Sequence, residues 1–130
     1  NQSEIEFVSL QYTDSEEELK LMKEDGYDIK VFEEIKAFDY SDTAKIVASC
    51  DLIISVCTSV IHLAGALGVP CWVMVPSKPA WRYGVQGKMV WYSSVRLYRQ
   101  KDSWLPVVEL IAEDLRNLLE DLEVRQEKAA

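Results

Sequence analysis

Several residue types that would support a metal, disulfide or membrane function are scarce in this sequence. Its 130 residues contain one histidine and three cysteines, Cys50, Cys57 and Cys71, without a CxxC pair. A histidine-cluster metal site is excluded, and this spacing favours buried free thiols in a reducing compartment. No apolar run reaches the length of a membrane span, and the first residues, NQSEIEF, do not resemble a signal peptide. These features predict a cytoplasmic protein without a membrane span.

Acidic residues are missing from one long stretch of an otherwise acidic chain. The net charge of -8 argues against a nucleic-acid partner, which requires a basic face. Residues 52–101 contain no Asp or Glu, and the cations of this stretch are Lys78, Arg82, Lys88, Arg96, Arg99 and Lys101. The pattern predicts a site for an anionic small ligand, although solvated loop charges would give the same pattern.

Apolar runs alternate with amphipathic segments along the chain, which predicts alternating strands and helices. The expected strands are 5–11, 28–32, 52–56, 71–75 and 95–99. The expected helices are 14–25, 43–49, 58–67 and 104–123, with a polar turn over 39–42 and a frayed tail over 125–130. Asp14 and Glu17 form a capping-box-like start for the first helix, and Gly26 provides its end.

The element order predicts an α/β fold with a mainly parallel sheet of about five strands and helices on both faces. The nearly continuous apolar run at 52–56 is typical of a central strand covered on both sides. We expect the Phe7 strand to lie beside it, because an unpaired inner edge is costly. Ligands bind beyond the carboxyl ends of parallel strands. The turn at 56–59 and the loop after Val75 are therefore the expected site.

The segment after the 52–56 strand combines a helix start with polar side chains. Backbone N–H groups at a helix N-terminus can hold a phosphate, and we expect an anion at those of Ser59 to Ile61. Thr58 and Ser59 add hydroxyls, and His62 lies about one turn further on. Gly65 would let the helix pack closely on the sheet. Two simpler interpretations stay open, namely that the hydroxyls only cap the helix and that His62 is structural.

Three segments, DLIISVCTSVIHLAGALGVPCWVMVP, PAWRYG and WYSSVRLYRQ, together with FVSLQ near the start, carry a family resemblance. They resemble the C-terminal half of glycosyltransferase family 9-like proteins, the heptosyltransferase relatives, and most closely the bacterial members that carry tetratricopeptide repeats. The resemblance covers most of 7–104. It implies that residues 1–130 form a single Rossmann-like domain similar to the C-terminal, nucleotide-sugar-binding domain of the GT-B architecture.

The resemblance also implies a binding site for a nucleotide diphosphate sugar. The implied donor-binding residues are Gln11, Tyr12, Thr58, Ser59, His62, Trp81 and Arg82. Trp81 would form a stacking surface or pocket wall, unless it is only a hydrophobic lid, and Arg82 would pair with a phosphate oxygen, unless it is a solvated cation. The implied mechanism is inverting displacement without a metal, since no DxD-like motif is present.

The sequence departs from the family pattern in two places. Cys57 stands where the family has Asp in a V-D-T-S pattern, and a thiol cannot accept sugar hydroxyl hydrogen bonds as a carboxylate does. A helix N-terminus can lower a thiol pKa, but no second histidine is present to support Cys57 as a nucleophile. The family's V-x-W-S-G-like first strand and its N-terminal domain are also absent from the 130 residues. We therefore expect no catalytic residue here, inactivity of the chain alone, and the missing domain or another subunit as partner.

Two other functional classes stay open from the sequence. One is a non-catalytic module, derived from the same fold, that binds a nucleotide or phosphate or another protein. The other is a flavodoxin-like domain for a different phosphate compound, whereas the lack of a glycine-rich dinucleotide fingerprint argues against NAD and FAD. Self-association as a homodimer is compatible with any of these.

Overall fold

The computed structural model describes residues 5–11, 15–36, 40–84 and 86–129. The chain divides into two compact units, Asn1–Ser49 and Cys50–Ala130, and each contains a parallel sheet. The elements in chain order are β1 (Phe7–Ser9), α1 (Glu16–Glu24), β2 (Ile29–Val31), α2 (Glu33–Lys36), α3 (Tyr40–Ser49), β3 (Ile53–Val56), α4 (Ser59–Ala66), β4 (Cys71–Val75), a 3-10 turn (Trp81–Tyr83), β5 (Val95–Arg99) and α5 (Leu105–Ala129). The α/β class and the parallel strands are therefore as predicted.

In the first unit, β1 pairs in parallel with β2, with Phe7 opposite Ile29. The two strands joined by the α1 crossover therefore pair with each other. The Phe7 and Ile53 strands belong to different units, so their expected neighbourhood stays a prediction. Helix α1 begins after Ser15, whose side chain makes no capping bond, and the proposed cap Asp14 lies outside the described residues. Gly26, at a φ of 91°, follows the end of the helix as expected.

The second half of this unit is more helical than predicted. The short helix α2 was not predicted, and α3 begins at Tyr40, within the segment that was expected to be a polar turn. Asp42 lies in the first turn of α3, where a negative charge interacts favourably with the helix dipole. The polar residues at this position therefore start a helix. Their composition looks like that of a turn because the same residue types favour both turns and helix starts.

In the second unit, the sheet has the order β3-β4-β5 with β4 at its centre. The strands predicted at 71–75 and 95–99 are confirmed at those bounds. Within this three-stranded sheet β3 lies at an edge, so the central position expected for 52–56 in a larger sheet stays a prediction. Ile54 and Val56 of β3 are 39% and 48% exposed. On β4, in contrast, Cys71, Val73 and Val75 are fully buried. A single Rossmann-like sheet of five strands is not seen among the described residues.

The long helix α5 is tied to β5 through apolar and polar contacts. Val107 and Ile111 pack with Tyr98, and Trp72 and Met74 lie against this cluster. The Tyr98 hydroxyl donates a hydrogen bond of 2.7 Å to the Asp114 carboxylate. Arg96 forms an ion pair of 3.2 Å with the same carboxylate, and its guanidinium lies 4.9 Å from the Tyr98 ring centre.

Helix α5 continues to Ala129, so the predicted frayed tail is helical over its described residues. The last turns contain no glycine or proline and are rich in Glu, Lys and Ala, which are good helix formers. Among the described residues, none of the helices combines the length and the apolar character that a membrane span requires.

Candidate functional site

A surface pocket of about 450 Å³ lies at the carboxyl ends of β3 and β4. Its lining comes from the turn after β3, the first turn of α4 and the 3-10 turn after β4. The lining residues are Cys57, Thr58, Ser59, His62, Arg82 and Tyr83. Parallel sheets place ligand sites beyond the carboxyl ends of their strands. The structure thus brings together four of the residues predicted to bind a donor, and Cys57 with them.

The start of α4 has fewer available donors than the sequence predicted. Thr58 is extended at the N-cap position, and its side chain makes no capping bond. Its hydroxyl instead lies 3.2 Å from the Ser55 hydroxyl. The Ile61 N–H donates to the Thr58 carbonyl at 3.3 Å. Of the N–H groups expected to bind an anion, that of Ile61 therefore has a partner within the chain. Those of Ser59 and Val60 remain as candidate donors, at the positive end of the helix dipole.

His62 is half-buried beside two tyrosine rings. Its ring centre is 5.8 Å from that of Tyr92, in an edge-to-face arrangement, and 6.4 Å from that of Tyr83. The Tyr92 hydroxyl lies 3.4 Å from Nδ1 of His62. Since Nδ1 already has this neighbour, Nε2 is the ring nitrogen that remains for a ligand in the pocket.

Cys57 is held as a protonated thiol. Burial is the main cause that raises its pKa, and a hydrogen bond to Tyr83 and the charges of Arg82 and Arg99 offset this only in part. The sulfur also lies 3.7 Å from the Met74 carbonyl, to which the thiol donates. The lowered thiol pKa considered from the helix N-terminus is therefore not found. A raised pKa disfavours a nucleophilic role.

Tyr83 is a pocket residue that sequence reasoning missed. It is only 4% exposed, and burial, together with the neighbouring Cys57, raises its pKa to about 12. It lines the pocket beside Arg82 and Cys57. The PAWRYG segment contains Tyr83, but a single tyrosine in a loop carries no local signal that distinguishes a buried pocket residue from an exposed one.

Arg99 organises the loop that carries Arg82 and Tyr83. From β5, its guanidinium donates to the carbonyls of Tyr83, of Gly84 at 3.0 Å and of Gly87 at 3.1 and 3.2 Å. Arginine suits this task because its donors are arranged in a rigid planar fork. Residue 99 therefore fixes one wall of the pocket without lining it.

The cations of residues 52–101 have different roles in the structure. Arg96 and Arg99 make the structural contacts described above, whereas Arg82 lines the pocket. The three lysines of the stretch, Lys78, Lys88 and Lys101, are exposed. The predicted anion site therefore depends on one arginine and on the helix start, rather than on the whole run of cations.

Trp81 lies outside the set of pocket-lining residues. It is 76% exposed, and its ring lies edge-to-face against Trp91, with the ring centres 6.4 Å apart. The Arg82 guanidinium lies 6.0 Å from the centre of the Trp81 ring. Trp81 therefore lies beside the pocket, where it contacts the lining residue Arg82.

The remaining predicted residues belong to the first unit. Gln11 follows β1, and its N–H donates to the Ser9 hydroxyl at 3.4 Å. Tyr12 lies outside the described residues. The nucleotide contacts expected for these two residues stay predictions.

The described part of the chain contains no cluster of three or more His, Cys, Asp or Glu side chains arranged to hold a metal. Its three cysteines form no disulfide. Cys71 is fully buried, while Cys50 and Cys57 are half-buried.

Comparison of the sequence with those of known proteins found one related protein segment, in a much longer protein. The chain is 36% identical over 118 residues to Protein FlbA of Caulobacter vibrioides (strain ATCC 19089 / CIP 103742 / CB 15). This match covers 87% of the chain and 20% of FlbA, so the chain spans about a fifth of the length of that relative. No family model matches the sequence, and no solved structure matches it.

Proposed function

We propose that this chain is the nucleotide-sugar-binding domain of an inverting glycosyltransferase of the family 9-like, GT-B type. The observation that carries the proposal is the pocket in which Ser59, His62 and Arg82 meet at the start of α4. Helix N–H groups, an imidazole and a guanidinium are all groups that bind phosphate oxygens. The pocket volume of about 450 Å³ also lies in the range of small-molecule sites.

In this proposal the pocket holds the diphosphate of the donor. The N–H groups of Ser59 and Val60 and the guanidinium of Arg82 oppose the negative charge that grows on the diphosphate as the bond to the sugar breaks. Such fixed donors stabilise the departing diphosphate in place of a metal ion, so the proposed reaction requires no metal. The six lining residues contain no carboxylate. The general base and the acceptor site therefore come from elsewhere, either from an N-terminal GT-B domain or from another subunit.

The proposal extends to the organisation of the protein. In it, the two units complete one Rossmann-like domain of about five strands over residues 1–130, and the reaction takes place in the cytoplasm, where nucleotide sugars are made. The chain alone binds a donor and does not transfer it. Gln11 and Tyr12 belong to the nucleotide subsite in this arrangement, as the family resemblance implies.

The state of Cys57 favours a second function, that of a non-catalytic phosphate- or protein-binding module of the same fold. A sugar-binding carboxylate is replaced by a thiol that donates to the Met74 carbonyl and whose pKa is raised by burial. The position that faces a donor sugar in the family is therefore occupied by a group with its own internal partners. A phosphate site would survive this change, whereas selectivity for a sugar would not.

Calorimetric titration with UDP-, GDP- and ADP-sugars and with the matching diphosphates tests the proposal. We expect binding of at least one nucleotide, and an Arg82→Gln variant that binds about ten- to a hundredfold more weakly, because it loses one charge-assisted hydrogen bond. Lys88→Gln is the matched control, since Lys88 is an exposed cation outside the pocket lining. Equal losses in both variants would show that only general charge matters. Absence of binding to every nucleotide would favour the interaction module.

A further inference from the structure

Tyr92 is placed to control the only histidine of the chain. Its ring lies against α4 at Gly65, where an added Cβ would come within 2.6 Å of Cδ2 and 2.7 Å of Cδ1 of the tyrosine. Its hydroxyl lies 3.4 Å from Nδ1 of His62, one helical turn before Gly65. The absence of a side chain at position 65 therefore allows the ring to approach closely enough to reach the histidine.

We propose that Tyr92 is a positioning residue whose hydroxyl donates a hydrogen bond to Nδ1 and so keeps His62 in the tautomer with the proton on Nε2. In a neutral imidazole one nitrogen is a donor and the other an acceptor, and the partner of one nitrogen decides the role of the other. A phenol is a good donor and a poor acceptor, because its oxygen lone pairs are delocalised into the ring. An imidazole nitrogen without hydrogen is, in contrast, a strong acceptor.

The consequence for the pocket is a donor of defined position. With Nδ1 used by Tyr92, Nε2–H is the group that His62 offers to an anion. It joins the N–H groups at the start of α4 and the Arg82 guanidinium, which are also donors without acceptor capacity. All of these groups then favour a phosphate over a ligand that donates hydrogen bonds. This consequence rests on the proposed function, whereas the tautomer itself does not.

The presence of a single histidine makes the tautomer directly measurable. In a chain labelled with nitrogen-15, long-range imidazole spectra at about pH 8.5, where free imidazole is neutral, contain one set of signals. We expect Nδ1 to show the shift of an unprotonated nitrogen and Nε2 that of a protonated one. In Tyr92→Phe, which keeps the ring on Gly65, the two shifts should move toward each other as the tautomers mix.

Tyr98→Phe is the control variant, since it removes a hydroxyl that bonds to Asp114 instead of to the histidine. It should leave the imidazole signals unchanged. An Nδ1–H tautomer in the unmodified chain, or identical imidazole spectra for Tyr92→Phe and the unmodified chain, would overturn the proposal.

Titration with inorganic pyrophosphate separates this inference from the proposed function. If both hold, Tyr92→Phe binds about twofold more weakly, because only the fraction of His62 with the proton on Nε2 then offers the donor, and Tyr98→Phe binds as the unmodified chain does. If the unmodified chain binds no pyrophosphate but shows the Nε2–H tautomer, the proposed function fails while the role of Tyr92 in setting the tautomer stands. If the affinity falls in Tyr92→Phe without a change of tautomer, Tyr92 acts on the ligand by another route and the inference is wrong.

Discussion

The aromatic ring of Tyr92 lies directly against the backbone of Gly65, too close for any side chain at that position. From the sequence we expected Gly65 to lie in a helix and to let that helix pack closely on the sheet. Its neighbour is instead a ring 27 positions further along the chain, from the segment between the 3-10 turn and β5. The glycine is thus linked to the pocket, because the same tyrosine contacts His62.

Gly65→Ala should destabilise the protein by about 1–3 kcal/mol, the usual cost of overpacking, despite the better helix propensity of alanine. Urea unfolding measures this loss. In a Tyr92→Ala background the clash is gone, so the same substitution should become neutral or stabilising by up to about 1 kcal/mol. An equal loss in both backgrounds would mean that the ring is not the cause.

Arg99→Lys should loosen the loop that follows Tyr83. Lysine keeps the charge but cannot reach the carbonyls of Tyr83, Gly84 and Gly87 together. We expect a loss of about 1.5–3 kcal/mol, the range for a hydrogen bond to a charged group, and faster proteolysis within the loop. Lys101→Ala, an exposed cation nearby in sequence, serves as control. Unchanged proteolysis of Arg99→Lys would contradict the anchoring role.

Cys57→Asp should restore selectivity for a sugar. A carboxylate accepts charge-assisted hydrogen bonds from sugar hydroxyls and repels phosphates. The affinity for a sugar nucleotide should therefore rise by about 1–2 kcal/mol relative to the bare diphosphate. Calorimetric titration of both proteins with both ligand classes gives this difference. Equal changes for the two classes would show that position 57 does not face the sugar.

Alkaline pH should destabilise the second unit through Tyr83. Burial raises the pKa of Tyr83 to about 12, whereas an unfolded tyrosine titrates near 10. The folded state therefore holds the proton more tightly, and this stabilisation is complete below about pH 10 and is lost as the pH rises toward about 12. Urea unfolding across this range should show a steeper loss for the unmodified chain than for Tyr83→Phe. Parallel curves would mean that the burial of Tyr83 carries no such penalty.

Local sequence patterns were sufficient for most of the secondary structure. The strands at 71–75 and 95–99 appear at their predicted bounds, and α4 begins at the predicted position. These features depend on the alternation of apolar residues and on helix-start residues, which act over a few positions. Strand partners were harder to predict. Within the second unit, β4 rather than β3 lies at the centre, because the order of strands is decided by competition between segments that are distant in the chain.

The same distinction holds for the pocket. The sequence by itself determined that Ser59, His62 and Arg82 follow the carboxyl ends of two parallel strands, and those ends meet at one edge of a sheet. Only the tertiary structure decided that Tyr83 lines the pocket, that Tyr92 contacts His62 over 30 positions, and that Arg99 is used inside the molecule. A side chain's partner depends on which backbone the fold brings within about 3 Å. No local pattern contains that information.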